Sequence, residues 1–188
     1  MVLAGERLLP VGGALGRLLP GGGISRGSVV AVSGDAGVTS VGFVLAAAAT
    51  AAMEWAVMVD DDTVGGRAAL EAGIAPDRFA VVRGVPAARW GTVVATLLDG
   101  VGCVVTTPPR SVRLGDARRL EARARERDAL LVALGGWPAG AGLRLTVERG
   151  AWSGLDGDGG GWLAERALDV LVEGRGVPTT GSVATGER

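Results

Sequence analysis

The chain has 188 residues, a formal charge of −1, a pI near 5.5 and 48% apolar residues. That length suits one domain with a full core, and the charge balance gives the isolated chain no electrostatic reason to hold nucleic acid. All 19 basic residues are arginine, and with no histidine present a Ser-His-Asp triad, a Cys-His nucleophile and a histidine-ligated metal are excluded.

Lysine, asparagine, glutamine and tyrosine are missing as well, while alanine, glycine, arginine and valine abound, which points to a GC-rich genome. The single cysteine, Cys103, sits in the apolar run Gly102-Cys103-Val104-Val105 and reads as a buried thiol, so a reduced, cytoplasmic setting is expected. The N-terminus carries no charged region followed by a cleavage site, so no signal peptide is expected. The most hydrophobic stretch, 41–59, is mostly alanine and contains Glu54, so no membrane span is expected.

Residues 1–20 form a lead-in with Leu8-Leu9-Pro10 and Leu18-Leu19-Pro20, whose prolines limit helix extension. Gly21 to Gly27 reads as a loop before a buried strand over 28–33. Gly34 to Ser40 is a glycine turn, and 41–53 is a helix apolar on most faces, expected to pack on two sides. A second strand over 55–59 runs into Asp60-Asp61-Asp62, and a helix over 66–72 is stopped by Gly73 with Pro76 beyond. A third strand covers 79–82. Residues 88–99 have Trp90, Val93, Val94, Leu97 and Leu98 at helical spacing.

The fourth strand, 103–106, is broken by Pro108-Pro109. An amphipathic helix over 116–127 has Ala117, Leu120 and Ala124 as its apolar stripe, and a fifth strand covers 129–134. Two closing strands, 143–148 and 167–173, are predicted to run antiparallel around a Gly/Asp-rich loop over 153–161, and residues 176–188 are predicted to fray. Strands alternating with helices predict an α/β fold: a mostly parallel twisted sheet with helices on both faces and an antiparallel strand pair at one edge. Residues 21–175 form the core domain of that reading.

Ser28 to Gly34 followed by a helix is the strand–loop–helix setting of a phosphate-cradling loop. Gly37-Val38-Thr39-Ser40 stands where such a loop has Gly-Lys-Thr, and the lysine is missing. Genome drift alone would have left an arginine, whereas the chain has Val38.

The order of elements over residues 15–174 is similar to the RecA-like core. Leu18-Leu19-Pro20-Gly21-Gly22-Gly23-Ile24-Ser25-Arg26-Gly27-Ser28-Val29-Val30 resembles that family's "LGGGLPRGRIVEI" approach to its first strand. The resemblance implies that Gly34, Gly37, Val38, Thr39 and Ser40 fall on the phosphate loop, which is two residues shorter here. It implies further that Asp62 stands at the catalytic glutamate and that Thr106 replaces the magnesium-side aspartate. With lysine, acid and loop length all departing together, no catalytic residue, ATP, magnesium or other metal is expected. Losing one cationic donor to phosphate removes about 1.5–3 kcal/mol, and losing one preorganised group slows a reaction roughly 10²–10³-fold. The structural alternative is a tight turn kept for the fold alone.

Within the superfamily the chain resembles the ImuA-type branch in its short high-GC form. The residues that carry this are the degenerate loop, Leu134-Gly135-Gly136-Trp137-Pro138, Trp152-Ser153-Gly154-Leu155 and Val172-Glu173-Gly174-Arg175-Gly176. The resemblance implies an accessory subunit of a DNA-damage-induced mutasome that binds an ImuB-type Y-family polymerase relative. Through that relative it would reach the sliding clamp and an error-prone polymerase, meeting DNA and the nucleoid only in the complex. A SulA-like division inhibitor and a weak ATPase completed by a partner are the competing readings. The arginine-rich segment 110–127 reads either as a solvated helix face or as a partner surface, with Arg118, Arg119, Arg123, Trp137 and Trp152 as candidate contacts. Trp55 and Trp90 are expected in the core.

Overall fold

A computed structural model describes residues 8–59, 64–155, 161–174, 176 and 178–186. A short antiparallel ribbon, β1 (Leu8–Pro10) with β2 (Gly23–Ser25), brackets helix α1 (Gly13–Leu18). Part of the Gly21–Gly27 stretch read as loop is therefore strand.

The main sheet has eight strands. In chain order they are β3 (Val29–Gly34), β4 (Ala56–Val59), β5 (Phe79–Val82), β6 (Cys103–Thr106), β7 (Leu130–Leu134), β8 (Leu143–Leu155), β9 (Gly161–Glu173) and β10 (Thr179–Gly186). In space they run β10-β9-β8-β3-β7-β6-β4-β5. From β8 to β5 every neighbouring pair is parallel, whereas β9 is antiparallel to both β8 and β10. The α/β class, the mostly parallel sheet and the antiparallel closing strands all agree with the sequence reading.

Strands buried on two faces are continuous apolar runs, and β3 and β7 are of that kind. Alternate side chains divide the core. Val30 and Val32 of β3, with Met58 and Val105, pack beneath α2 (Val38–Ala51) and Ala69 of α3 (Gly66–Glu71). Val29 and Ala31, with Val57, Val104 and Leu131, face α4 (Ala87–Leu98) and α5 (Leu114–Glu126). There α4 presents Trp90, Val94 and Leu98, and α5 presents Ala117, Leu120 and Ala124.

Helix α2 is apolar nearly all round because it is enclosed. The sheet covers it, Leu168 and Val170 of β9 and Val183 of β10 included, and Leu9, Leu15 and Leu19 of the N-terminal segment share its core. It begins three residues earlier than the periodicity predicts, because Gly37 takes the left-handed conformation (φ +81°) that lets the chain turn straight into the helix.

The chain's end corrects the sequence reading twice. Residues 153–155 and 161 extend β8 and β9 instead of looping, while 156–160 lie outside the described residues. Residues 179–186, predicted to fray, pair along β9, bury Val183 and bring Gly181 against Leu18 of α1. Thr179-Thr180-Gly181-Ser182-Val183-Ala184 has a single large apolar residue, so backbone pairing holds it and no apolar pattern announces it. Trp55 is also not a core residue: it is 48% exposed just before β4. Among the described residues no helix is long and apolar enough to cross a membrane.

Candidate functional site

The turn from β3 into α2 lies at the carboxyl edge of the parallel strands, where ligands of open α/β sheets bind. Gly34 (φ +141°) and Gly37 (φ +81°) both have conformations that favour glycine. Each is also crowded by the strands that close the sheet. A Cβ on Gly34 would lie 2.4 Å from the carbonyl oxygen of Val147 on β8, and one on Gly37 would lie 2.6 Å from Leu168 Cδ2 on β9. Backbone conformation and packing thus both give glycine a reason here, most firmly at Gly34, where the crowding atom is backbone.

Residues Gly34 to Ser40, together with Thr107, Leu134, Gly135 and Arg166, line a depression of about 410 Å³. The start of α2 has no side-chain cap. Its free amides, the Thr39 and Ser40 positions and the Arg166 guanidinium form a polar surface of anion-attracting sign. Val38 lies on this surface where a lysine would be needed. A larger hollow of about 700 Å³ lies at the opposite, amino edge, between Arg26, Ser28, Glu121, Arg125 and Gly142. It is remote from the glycine loop.

Thr106 is not part of the depression. It is fully buried, and its Oγ1 accepts a 2.7 Å hydrogen bond from Trp90 Nε1, on the sheet face covered by α4. Successive residues of a strand point to opposite faces. Val105 packs under α2, so Thr107, two residues on, returns to the loop side and lines the depression. Thr107 is the residue the sequence reading missed, and period-two alternation was the signal for it. Arg166 was also missed: only the pairing of Trp152 with Arg166 across β8 and β9 brings it near the loop. Asp62, with Asp60 and Asp61, lies outside the described residues.

The candidate partner contacts separate into two kinds. Arg118 is exposed, Arg119 reaches Asp116 at 3.5 Å, and Trp152 is 51% exposed with the Arg166 guanidinium carbon 5.3 Å from its ring centre. Arg123 instead forks onto Asp99 at the end of α4, with contacts of 2.5 and 2.7 Å, and Arg127 adds a third at 3.1 Å. The Arg123 hydrogen bond holds the Asp99 carboxyl below its ordinary range, and in return Asp99 raises Arg123. Trp137 is 6% exposed and donates to Glu121 Oε1 at 2.7 Å, so it is core and not surface. Trp90 is core as expected. Cys103 is fully buried, and that burial pushes its thiol up to about 12, with the nearby Glu54 charge adding to it. Among the described residues no group of carboxylates and thiol is placed to hold a metal ion.

The family model of the MT3502 N-terminal domain matches residues 17–139, well over half of the chain. The chain belongs to the MT3502 N-terminal domain family. The matched segment runs from the end of α1 to the exit of β7. It holds the glycine loop, Thr106 and α5, while β8, β9 and β10 follow it. In this MT3502 N-terminal domain chain, then, the residues that crowd the loop, Val147 and Leu168, come from beyond the matched segment. No curated protein matches the chain.

Proposed function

We propose that the chain is a non-catalytic, RecA-like accessory protein of a DNA-damage-induced translesion synthesis complex, in which it binds an ImuB-type Y-family polymerase relative. One observation carries the non-catalytic half: Val38, with no cation, lines the depression, and Gly34 and Gly37 have a reason in their conformation and in the packing of Val147 and Leu168 that needs no phosphate. Thr106, which the RecA-like resemblance sets at the metal-side acid, is turned into the core against Trp90. The partner rests on the resemblance of the loop and of the Trp137 and Trp152 segments to the ImuA-type branch. The test is a tagged pull-down from the native host after DNA damage. Recovery of a Y-family polymerase relative is the expected result; recovery of a division GTPase, or of no polymerase-related protein, overturns it.

A second reading, a nucleotide-binding protein completed by its partner, is favoured by Arg166, Thr39, Ser40 and Thr107 lining one depression. An arginine supplied in trans serves some P-loop proteins. Stoichiometric Mg-ATP binding at micromolar concentration would support that reading, and no binding at millimolar nucleotide excludes it.

A further inference from the structure

The carboxyl edge on the α4–α5 side carries five exposed arginines. Arg83 precedes α4 and Arg89 lies in its first turn; Arg110 and Arg113 lie on the short link into α5, and Arg118 on its second turn. The Trp90 to Thr106 hydrogen bond pins the start of α4 to the end of β6, so these segments are neighbours. All five arginines are exposed, and none makes an ion pair among the described residues. The opposite end of the same two helices is different: there Asp99 takes up both Arg123 and Arg127. Leu114 opens α5 directly after Arg113 and one turn before Arg118, with 45% of its surface exposed.

We infer that Arg110, Arg113 and Arg118, with Leu114 between them at the start of α5, form a docking surface for an acidic amphipathic segment of a protein partner. This rests on the partner-binding reading above and names the chemistry of the contact. Guanidinium forks match carboxylates two-pronged, and an apolar side chain of the same segment covers Leu114. A nucleic-acid backbone fits less well. Phosphates gain nothing from Leu114, and the whole chain carries a charge of −1.

The test titrates the full chain by fluorescence anisotropy against a labelled synthetic peptide with glutamate and leucine at helical spacing. The same peptide with lysine for glutamate and a DNA duplex serve as comparisons. The wild type is expected to prefer the glutamate peptide, and Arg110→Glu/Arg113→Glu/Arg118→Glu to weaken it about tenfold or more, since like charges then face each other. The loss shrinks in high salt. Leu114→Ala weakens the peptide and leaves DNA unaffected. Unchanged thermal midpoints, and the milder set Arg110→Gln/Arg113→Gln/Arg118→Gln, guard against a folding artefact. Equal affinity for the two peptides, an unaffected triple variant, or tighter DNA binding lost with the same arginines overturns the proposal. The pull-down separates the two readings. Capture of the polymerase relative by the triple variant as by the wild type overturns the ridge and leaves the partner reading standing. Peptide binding at the ridge with no relative captured does the reverse.

Discussion

Gly37 and Leu168 are in close contact: a methyl group at Gly37, at φ +81°, would lie 2.6 Å from Leu168 Cδ2 and push that side chain aside. Two costs attach to Gly37→Ala. The left-handed backbone with a side chain costs about 1–2 kcal/mol, and crowding a packed core about 1–3 kcal/mol. Leu168→Ala alone removes a buried side chain at about 2–5 kcal/mol. In the double variant the clash is gone, so its loss is expected to fall short of the sum by roughly 1 kcal/mol or more. Urea denaturation of the four proteins measures this, and strict additivity would show that Leu168 does not hold the loop.

Thr106 satisfies Trp90 and faces away from the glycine loop. Thr106→Val leaves a buried indole N–H without its acceptor, an expected loss of about 1–3 kcal/mol. Thr106→Asp does not rebuild a metal site. It places a carboxylate in the sealed α4 face, so a larger loss is expected, with no stabilisation by magnesium. Thr107→Asp, on the exposed loop side, is expected to stay within about 0.5 kcal/mol of the wild type. Thermal unfolding with and without magnesium and nucleotide checks all three.

The parallel strands were legible because burial on two faces forces unbroken runs such as Val29 to Val32 and Leu130 to Leu134. Helices α4 and α5 were legible from apolar stripes at helical spacing. Strand β10 was not, because its order comes from backbone pairing and from one buried residue, Val183. At the loop, Gly34, Gly37, Thr39 and Ser40 were legible from local order. Arg166 was not, since it arrives from β9 by a pairing more than a hundred residues away in the chain. Thr106, which the resemblance sets at the metal-side acid, points to the α4 face. The strand's own alternation, with Val105 under α2, assigns the loop side to Thr107.

Trp137 and Trp152 differ in burial, and their variants should differ in kind. Trp137→Ala empties a core position and orphans the Glu121 contact, with an expected loss of about 3–5 kcal/mol. Trp152→Ala removes an exposed ring and one cation–π contact of about 0.5–1 kcal/mol. A partner-binding defect in Trp137→Ala would then accompany a lowered melting temperature. The same defect in Trp152→Ala at unchanged melting temperature would place Trp152 in the interface.

Asp99 ties the end of α4 to Arg123 and Arg127 of the α5 end. Its carboxyl is depressed, first by the Arg123 hydrogen bond, so the pairing stabilises the fold above the ordinary carboxylate value near pH ~4. The benefit is lost as the pH falls through the lower folded-state value. Asp99→Asn is expected to melt below the wild type at neutral pH and to converge with it in strong acid. Because the pair is solvent-exposed, the gap should also narrow at high salt. Melting curves from neutral pH down to pH ~2 measure this; a gap that widens on acidification would contradict it.

A chain cut after Gly174 tests whether β10 belongs to the folded domain. The cut removes the pairing of Thr179–Gly186 with β9, uncovers the surface that Val183 buries and strips Gly181 from Leu18. Burying one Val-sized side chain is worth about 1.5–3 kcal/mol, so with the lost strand pairing the expected loss is about 3 kcal/mol or more. Limited proteolysis should then open β9, which has become the sheet edge. Gly181→Ala separates packing from strand loss: its methyl would lie 2.5 Å from Leu18 Cδ2, so the Leu18 side chain must move while β10 stays paired. If the cut chain melts with the full one, β10 adds nothing to the domain. If it melts lower, a truncation that abolishes partner binding reports on the fold as much as on the interface, and point variants of the exposed ridge become the sharper probe.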